Sequence, residues 1–430
     1  MIKKQEKFDV AVIGGGPAGM MAAGRAAELG ASVVLLEKNE SLGKKLLITG
    51  KGRCNLTRDE LDLKEMVGQF GKNGKFLFSS MAQFGPREVI KFFEDRKLPT
   101  KTERGGRVFP ISNKSYDVLR AVEEYLKKNK VKILFGSEIV GFESDGKKIK
   151  SVKLKHEKGK PGREIVLANK FVLCTGGKSY PATGSTGDGY GWAKELGHTI
   201  VKTAPALVPI KAKETWVGEL QGLSLKNVEI SLIQDGKKKD SRFGEMLFTH
   251  FGLSGPIVLD ISKKALEFAE KGEVEISIDL KPALSAEQLD ARLQRDFVSN
   301  AKKDFVNYLP ELLPQKMIAT MIGLSGIDPR KKINVVTGTE RKKLAALLKD
   351  LRLTFDGTAG FAQAVVTSGG VHLKEVDPKT MRSRLIGNLY FAGEILDLDG
   401  PTGGYNLQIC WSTGYAAGTG AAWLIYSAKP

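Results

Sequence analysis

The hydrophobic pattern at the start of the chain predicts a strand, a tight turn and a helix. Phe8–Ile13 is a mostly apolar run of strand length, and the glycine-rich segment Gly14–Gly19 follows it directly. The segment MMAAGRAAEL then has helical character and ends at Gly30, and Ala31–Glu37 is a second buried strand. This order predicts a βαβ unit within a parallel sheet covered by helices.

The apolar period changes to two between Val131 and Cys174, which is typical of strands. Strands are expected near 131–135, 138–144, 149–156 and 163–168, with turns at Asp145-Gly146 and Lys160-Pro161-Gly162. The segment FVLC then reads as a last buried strand. We therefore expect a β-meander here, whereas residues 62–130 are predicted to be helices around a basic loop, ERGGRVFP.

The character of the chain changes again after Pro205. Residues 206–282 show strand patterns with one helix, and residues 283–350 are helical, with capping-box starts at Ser285 and Thr337. Strand character returns afterwards, and the chain ends in an apolar helix. The pattern predicts a discontinuous α/β domain of residues 1–205 and 351–430, interrupted by a β-rich domain and a small helical subdomain.

The first glycine turn carries a specific chemical signal. Gly14-x-Gly16-x-x-Gly19 follows a buried strand and opens a helix, and Glu37 ends the second strand. Gly14 permits the tight turn, Gly16 admits a diphosphate close to the backbone, and Gly19 lets helix and strand touch. The carboxylate of Glu37 can accept hydrogen bonds from the ribose hydroxyls of a dinucleotide, and its negative charge disfavours a 2′-phosphate on that ribose. These residues predict a Rossmann-like dinucleotide site that does not hold NADP.

Other glycine-rich loops favour FAD over NAD as the resident dinucleotide. No second GxGxxG occurs, but three further loops suit an extended ligand: Gly50–Asn55, Thr175–Gly177, and Gly393-Glu394 with Gly403–Leu407. Arg53 is a candidate for phosphate or ribityl oxygens. Gly403-Gly404 opens a helix whose N-terminus would stabilise negative charge on a reduced flavin.

Composition excludes several classes of protein. The 430 residues include 41% hydrophobic and 27% charged residues, which is typical of a soluble globular chain of several domains. Three scattered cysteines and four lone histidines give neither a disulfide framework nor metal-ligand spacing, so no metal is expected. The apolar segment Tyr405–Tyr426 contains several polar residues and glycines, and we expect a buried helix rather than a membrane span. These features favour a cytoplasmic protein.

The order of the motifs resembles a known family. The segments VIGGGPAG, LLITGKGRCNLT, CTGGKSYPATGSTGDGYGWA, FTHFGLSGP, TSGGV and FAGEILDLDGPTGGYNLQ span nearly the whole chain. Together they are similar to the BaiN/YhiN-like family of NAD(P)/FAD-dependent oxidoreductases, within the glutathione-reductase-type FAD fold. The resemblance implies a Rossmann-like FAD-binding domain (residues 1–205 and 351–430) with a β-barrel-like insertion (206–282) and a helical part (283–350).

The resemblance also implies a set of FAD contacts. They carry over to Gly14, Gly16, Gly19, Glu37, Lys38, Arg53, Cys54, Asn55, Thr175, Gly176, Gly177, Gly393, Glu394 and the turn Tyr405, Asn406, Leu407. The expected set is completed by Pro17, Ala18, Lys44, Gly52, Val140, Gly403 and Gly404. Two positions depart from the broader flavoprotein pattern: Cys174 replaces Ala before Thr-Gly, and Glu394 replaces Asp.

Two residues are candidates for catalysis. His250, within FTHFGLSGP, is a candidate proton donor over the flavin, with an ordinary loop histidine as the alternative. Tyr405 is the second candidate, through its phenol at a helix N-terminus. Cys54 is read either as a thiol near the flavin or as a small packed residue, and the second reading predicts non-covalent FAD. The substrate is expected between the FTHFGLSGP segment and the turn before Tyr405.

Two functions remain in competition at this point. The first is an FAD-dependent oxidoreductase that exchanges hydride with NAD(P)H or a small organic substrate; the resemblance implies reduction of an activated C=C bond or oxidation of a small amine. The second is a flavoprotein that binds or modifies RNA, suggested by the net charge of +18. The basic segment Lys147–Arg163 lacks interleaved aromatic residues, so nucleic acid is not an expected partner. A membrane is not expected either, for the reasons given for Tyr405–Tyr426. NAD(P)H is expected to bind only transiently, with Arg104 and Arg107 as candidates for binding its phosphates. The protein is expected to be a monomer or a homodimer.

Overall fold

The computed structural model describes residues 6–60, 62–155 and 165–426, with the side chains of the last helix up to Ala422. The strands are β1 (Lys7–Ile13), β2 (Val33–Leu36), β3 (Thr57–Arg58), β4 (Thr100–Glu103), β5 (Arg107–Pro110), β6 (Lys132–Leu134), β7 (Ile139–Ser144), β8 (Ile149–Leu154), β9 (Ile165–Leu173), β10 (Ile200–Ala206), β11 (Ile210–Ala212), β12 (Ser224–Gln234), β13 (Lys237–Thr249), β14 (Gly252–Ser254), β15 (Glu275–Asp279), β16 (Leu351–Thr358), β17 (Val366–Val371) and β18 (Leu389–Phe391). The α-helices are α1 (Pro17–Glu28), α2 (Lys44–Ile48), α3 (Leu63–Gly68), α4 (Phe78–Gln83), α5 (Pro86–Glu94), α6 (Ser115–Lys128), α7 (Asp188–Glu195), α8 (Pro256–Ala269), α9 (Ala286–Ser299), α10 (Phe305–Tyr308), α11 (Ile318–Ser325), α12 (Gly338–Lys349) and α13 (Tyr405–Tyr426).

The chain divides into two compact units. The first unit comprises residues 1–205 and 365–430, and the second comprises residues 206–364. The second boundary therefore differs from the predicted one after residue 350. Strand β16, which its sequence pattern had assigned to the outer domain, pairs with β11 and β15 of the second unit. The hydrogen-bonding partner of a strand, rather than its own residues, decides to which domain it belongs.

The first unit is built on a mixed sheet with the order β6-β2-β1-β9-β8-β7, and β18 also pairs with β9. Strands β1, β2, β6, β9 and β18 run parallel, whereas β7 and β8 form an antiparallel meander beside β9. The predicted α/β fold with a parallel sheet and a meander is confirmed. The run near 131–135 is not part of the meander, because it pairs with β2 as strand β6. The predicted turn at Lys160–Gly162 lies outside the described residues.

Helix α13 packs tightly on α1 through small residues. A Cβ on Gly414 would lie 2.5 Å from the Ala18 carbonyl oxygen, and one on Gly418 would lie 2.4 Å from that of Ala22. The polar Gln408 is satisfied within the unit, since its amide donates to the Phe84 carbonyl and to the Ser412 hydroxyl. Among the described residues, no helix has the length and apolar character needed to cross a bilayer.

A small antiparallel sheet with the order β3-β5-β4 lies within the first unit. The predicted basic loop ERGGRVFP is mostly this hairpin: Glu103 and Arg107 are cross-strand partners in β4 and β5. Strand β3 pairs on the other side of β5 and brings residues 57–58 beside the hairpin. The turn between β4 and β5 uses Gly105 and Gly106, both with positive φ.

The second unit contains a closed barrel and a group of helices. The barrel has the strand order β11-β14-β13-β12-β15-β16, and side chains such as Ile230, Leu232, Phe248 and Ile276 fill its core. Helices α9 to α12 form the predicted helical part. Helices α9 and α12 begin at the predicted capping boxes of Ser285 and Thr337.

Candidate functional site

A cavity of the first unit lies at the carboxyl ends of its parallel strands. Gly14 follows β1, Glu37 follows β2, Cys174 follows β9 and Gly393 follows β18, and all four residues line the cavity. Loops after neighbouring parallel strands meet at one edge of a sheet, which is where α/β folds bind their ligands. The strand order therefore assembles one elongated site from four distant segments of the sequence.

The glycine turn shapes the middle of the cavity. Gly14 has a φ of +102°, and a Cβ there would lie 2.5 Å from the Cys174 carbonyl oxygen. A Cβ on Gly19 would lie 1.8 Å from the Gly14 oxygen, whereas one on Gly16 would meet no heavy atom within 4 Å. Gly14 and Gly19 are thus required by the fold, and Gly16 faces open space. Gly16 also caps α1 without a side-chain bond, so the first N–H groups of that helix are available to an anion.

Glu37 is held rigidly at one end of the cavity. Its Oε2 accepts from the Gly15 N–H at 2.7 Å, and its Oε1 accepts from the N–H and the amide of Asn39 at 2.7 and 2.8 Å. A carboxylate offers about four acceptor positions, so one remains for a ligand hydroxyl. This geometry suits the predicted ribose contact.

The same end of the cavity has a charged rim. The Lys38 ammonium lies 2.8 Å from the Asp188 carboxylate and 2.6 Å from the Thr186 hydroxyl. The Lys44 ammonium donates to the Asn39 side-chain oxygen at 3.1 Å. Asp188 begins α7, and the pKa of its carboxyl is lowered by hydrogen bonds from Lys38 and Thr186, which outweigh the opposing effect of burial. Both lysines therefore line the cavity in fixed positions.

Glu394 is the centre of a hydrogen-bond network farther along the cavity. Its Oε1 accepts from the Ser179 hydroxyl and the Thr367 N–H, both at 2.7 Å, and its Oε2 accepts from Lys45 at 2.7 Å. The Lys45 ammonium also donates to the Ser179 oxygen at 2.5 Å. The charge of Glu394 is thus balanced inside the protein, and one acceptor position remains for a ribityl hydroxyl.

Sequence reasoning missed Lys45, Ser179 and Thr367. All three lie in segments quoted for the family resemblance or next to a predicted contact, but nothing in their local pattern marked them. Lys45 was one more cation in a lysine-rich loop, and Thr367 was one polar residue in a buried strand. Only the fold shows that the Lys45 ammonium, the Ser179 hydroxyl and the Thr367 backbone N–H converge on Glu394.

Two buried side-chain oxygens of the first unit, one of them on a residue that lines this cavity, have no hydrogen-bond partner among the described residues. They are Thr175 Oγ1 and Asn55 Oδ1, and both belong to predicted FAD contacts. Buried polar atoms are nearly always paired, so an orphaned atom indicates a group that binds there. Thr175 lines the cavity itself, which supports a polar ligand at that point.

The structure brings most, but not all, of the predicted contacts together. The residues that line the cavity are Gly14, Gly16, Pro17, Ala18, Glu37, Lys38, Lys44, Thr175, Gly176, Gly393, Glu394, Asn406 and Leu407. The residues that do not line it are Gly19, Gly52, Arg53, Cys54, Asn55, Val140, Gly177, Gly403, Gly404 and Tyr405.

Arg53 and Val140 lie elsewhere for identifiable reasons. The Arg53 guanidinium packs over the Phe109 ring at 4.0 Å and is bound by the side chains of Asn113 and Glu103. It faces the β4–β5 hairpin rather than the cavity. Val140 is 57% exposed, and its neighbour Ile139 lines the cavity instead, because successive strand residues point to opposite faces.

The three cysteines are buried thiols rather than reactive groups. Cys54 has no exposed surface, and burial raises its pKa to about 12. Burial likewise raises the pKa of Cys410 to about 12 and that of Cys174 above its usual range. A thiol of this kind is protonated at neutral pH, which favours the packed reading of Cys54 over a reactive one. No group of three or more potential metal ligands occurs in residues 6–60, 62–155 and 165–426.

The two catalytic candidates lie in different settings. Tyr405 is the first residue of α13 and only 5% exposed; its ring packs edge-on against Phe70 at 5.8 Å. His250 lies in the turn between β13 and β14 of the second unit, exposed, with its ring edge-on to Phe251 at 4.8 Å. The proton-donor role of either residue stays a prediction.

These features fit an extended dinucleotide such as FAD. Glu37 provides an acceptor for ribose hydroxyls, and the start of α1 with Gly16 provides N–H groups for a diphosphate. The orphaned Thr175 hydroxyl and the remaining acceptor of Glu394 suit the ribityl chain. Asn406 and Leu407, at the start of α13, also line the cavity.

Comparison with known proteins gives consistent matches over nearly the whole chain. The sequence model of the HI0933-like protein Rossmann domain matches residues 8–420. A 3-dehydro-bile acid delta(4,6)-reductase of Clostridium scindens is 33% identical over 96% of this chain and 98% of its own length. A ribosomal RNA dihydrouridine synthase of Haemophilus influenzae is 31% identical over 94% of this chain and 96% of its own.

Solved structures show a similar fold. The 3-ketosteroid delta1-dehydrogenase of Sterolibacterium denitrificans, in complex with 1,4-androstadiene-3,17-dione, has a TM-score of 0.54. The match covers 97% of this chain and 100% of that protein at 13% identity. At this identity the likeness concerns the fold alone.

Proposed function

We propose, because the chain belongs to the HI0933-like Rossmann family of FAD-dependent oxidoreductases, that it reduces a carbon–carbon double bond conjugated to a carbonyl group. The family confirms the predicted resemblance. The observation that carries the proposal is the single elongated cavity whose glycine turn, Glu37 and Glu394 fit the successive parts of FAD. When bound, FAD supplies two-electron hydride chemistry.

The names of two relatives support this bond type. A delta(4,6)-reductase of a 3-dehydro-bile acid and a synthase of dihydrouridine in ribosomal RNA both saturate a ring double bond near a carbonyl. The two substrates differ greatly in size, yet the reduced bonds are chemically alike. The shared bond is therefore a stronger basis for a proposal than either whole substrate, and oxidation of a small amine is the weaker alternative.

The reaction balances with a nicotinamide as donor. NAD(P)H and one proton are consumed, the double bond gains two hydrogens, and NAD(P)⁺ is released. The dinucleotide fold of the first unit fits FAD, so the nicotinamide is expected to bind transiently. This chain must then supply a proton to the substrate carbon or its carbonyl oxygen.

His250 is the proposed source of that proton, with Tyr405 as the second candidate. An imidazole donates and accepts protons near neutral pH, which suits general acid catalysis. His250→Ala is expected to keep full FAD content and to lose at least roughly tenfold in turnover. His372→Ala is the matched control. Equal turnover of the two variants with the true substrate would return His250 to an ordinary turn residue.

An anaerobic single-turnover experiment tests the proposed bond chemistry. The purified holoprotein is reduced with dithionite and mixed with a 3-oxo-Δ4,6 steroid acid or with a short uridine-containing RNA. The expected result is reoxidation of the flavin together with a product two mass units heavier. The steroid arm tests a small-molecule substrate, and the RNA arm tests the second candidate function, which the dihydrouridine synthase relatives favour. A gain of two hydrogens by neither compound, nor by a panel of enones, would contradict the proposal.

A further inference from the structure

The sheet formed by β3, β5 and β4 has two chemically different faces. Thr57 and Val108 are cross-strand partners without exposed surface, and the Thr57 hydroxyl donates to the Gln408 side-chain oxygen of α13 at 2.5 Å. The neighbouring pair, Arg58 and Arg107, points to the opposite face, because side chains alternate along a strand. One face therefore belongs to the core and the other to a charged surface.

We name this second surface the basic face and define it by its charged residues. They are Arg58 on β3, Arg107 on β5, Lys101 and Glu103 on β4, and Arg53, whose guanidinium covers Phe109 of β5. Four cations thus share a single carboxylate. The Glu103 carboxylate binds the Arg53 guanidinium directly and lies 3.7 Å from the Lys101 ammonium. Its negative charge is therefore paired mainly with these two cations.

Arg58 and Arg107 form no direct ion pair, although Arg107 lies opposite Glu103 across the β4–β5 ladder and interacts with its charge at longer range. Neither guanidinium lies within 4.0 Å of a carboxylate among the described residues. They are direct cross-strand partners, and like charges in that position destabilise a sheet. Arg58 also lies next to the start of α13, where the helix dipole disfavours a cation: its Nη1 is 3.6 Å from where a Cβ on Gly403 would be. An oxyanion bound between the two arginines would relieve both effects.

The basic face adjoins the end of the cavity that fits the flavin. The Arg58 guanidinium lies 5.3 Å from the centre of the Tyr405 ring, and the next residues, Asn406 and Leu407, line the cavity. Thr49 lines it as well and begins the loop that leads to Arg53. A ligand on the basic face therefore has its phosphates close to the flavin end without entering the site of the FAD diphosphate.

We propose that the basic face is the docking site for the diphosphate of the nicotinamide donor, an inference that rests on the proposed function. A planar guanidinium binds phosphate through two parallel N–H groups, and two adjacent arginines match two linked phosphates. Arg104, in the turn of the same hairpin and exposed, is placed to reach the remainder of the dinucleotide. A single carboxylate of a small substrate needs only one arginine, which makes a diphosphate the better match for the surplus of charge.

Anaerobic bleaching of the holoprotein by NADH and NADPH tests the site. The double variant Arg58→Gln/Arg107→Gln is compared with Lys147→Gln/Lys148→Gln, which removes two positive charges from the exposed β7–β8 turn. We expect the arginine double variant to raise the nicotinamide concentration for half-maximal bleaching at least tenfold, because a hydrogen bond to a charged group contributes about 1.5–3 kcal/mol. The lysine double variant should leave this concentration unchanged. Added diphosphate ion should compete with the nicotinamide for the wild-type protein and not for the arginine variant.

Two further measurements separate this inference from the proposed function. Dithionite reduces the flavin without binding at the nicotinamide site. After reduction by dithionite, the Arg58→Gln/Arg107→Gln variant should therefore be reoxidised by the substrate at the wild-type rate. Arg58→Lys/Arg107→Lys keeps the charge and should recover part of the affinity, which a misfolded variant would not. Three results would each overturn the docking site: equal bleaching of the two glutamine double variants, no bleaching of the wild type, or a defect of the arginine variant in substrate reoxidation alone. The proposed function is contradicted only if the reduced protein does not reduce the substrate.

Discussion

The ammonium of Lys45 lies 2.7 Å from the carboxylate of Glu394, although 349 positions separate the two residues in the chain. Their side chains are only 20% and 15% exposed. The ion pair connects α2 with the loop after β18, two walls of the same cavity. A contact of this kind fixes the width of the site before any ligand binds.

Lys45→Met should therefore weaken both the fold and the binding of FAD. The substitution leaves the Glu394 carboxylate without a cation, and breaking a fully buried pair costs about 3–5 kcal/mol. Because both groups retain some exposure, we expect a loss of about 2 kcal/mol in the free energy of unfolding. Urea titration of the apoprotein measures this loss, and the absorbance ratio of flavin to protein measures the cofactor.

The variant Lys45→Met/Glu394→Gln is the control for this prediction. It removes both charges, so it should be more stable than Lys45→Met alone if the unpaired carboxylate is the cause. Strict additivity of the two single substitutions would show that the pair is not coupled.

Gly16→Val should give a folded protein that does not retain FAD. A Cβ at this position meets no heavy atom of the protein within 4 Å, so the fold tolerates the side chain, while the side chain fills the space for the diphosphate. Circular dichroism and the thermal melting curve report folding, and the visible spectrum reports FAD. Gly338→Val, at an equally open position in the second unit, is the control and should stay yellow. A yellow Gly16→Val protein would show that the diphosphate lies elsewhere.

The parts of this site that the sequence predicts are those encoded by local patterns. Gly14, Gly16 and Glu37 were predicted because a strand, a turn and a helix impose their spacing within one short segment. The network of Lys45 and Glu394 was not predicted, since its members come together only when β18 pairs with β9. Arg53 was assigned to the cavity by its loop, but the β4–β5 hairpin offered it nearer partners.

FAD should be bound without a covalent link. The thiolate is the nucleophilic form of cysteine, and burial keeps the pKa of Cys54 at about 12, so at pH 7 the thiol has no reactive fraction of note. Precipitation with acid should release all the yellow colour into the supernatant. Cys54→Ser should behave like the wild type in this assay. Flavin that stays on the washed pellet of the wild type, but not of the variant, would establish a tether.

His198 should make the first unit less stable in acid. It is 2% exposed; its Nδ1–H donates to the Ala193 carbonyl, and its Nε2 accepts from the Ser383 hydroxyl at 2.8 Å. Burial lowers its pKa, so folding favours the neutral ring. Between the unfolded pKa of about 6.5 and the lower folded pKa, the unfolded chain binds this proton more readily than the folded chain. Stability therefore falls as pH decreases through this window, by up to about 1.4 kcal/mol per pH unit.

Urea unfolding at several pH values between 5 and 8 measures this effect. His198→Gln should reduce the slope of stability against pH on the acid side, whereas His372→Gln should retain it. A wild-type slope in the His198 variant would assign the acid sensitivity to other groups.

The overall fold shows the same division between local and distant information. The capping boxes at Ser285 and Thr337 predicted the starts of two helices correctly, because capping depends on four consecutive residues. The closure of the barrel was not predictable in the same way. Strand β16 is distant in sequence from β11, and its alternating pattern fits any half-buried strand.

The close contact between α1 and α13 has a consequence for the position of the cofactor. Gly414 and Gly418 hold the two helix backbones against each other at Ala18 and Ala22, so neither helix can slide along its neighbour. Pro17 and Ala18 at the start of α1, and Asn406 and Leu407 at the start of α13, line the cavity. The span between these two points is thus set by the protein alone. FMN and FAD share the flavin, the ribityl chain and the first phosphate that would fill this span, and only FAD has an adenosine to reach Glu37. We therefore expect the fixed span to set where the flavin ring lies, and Glu37 to distinguish FAD from FMN.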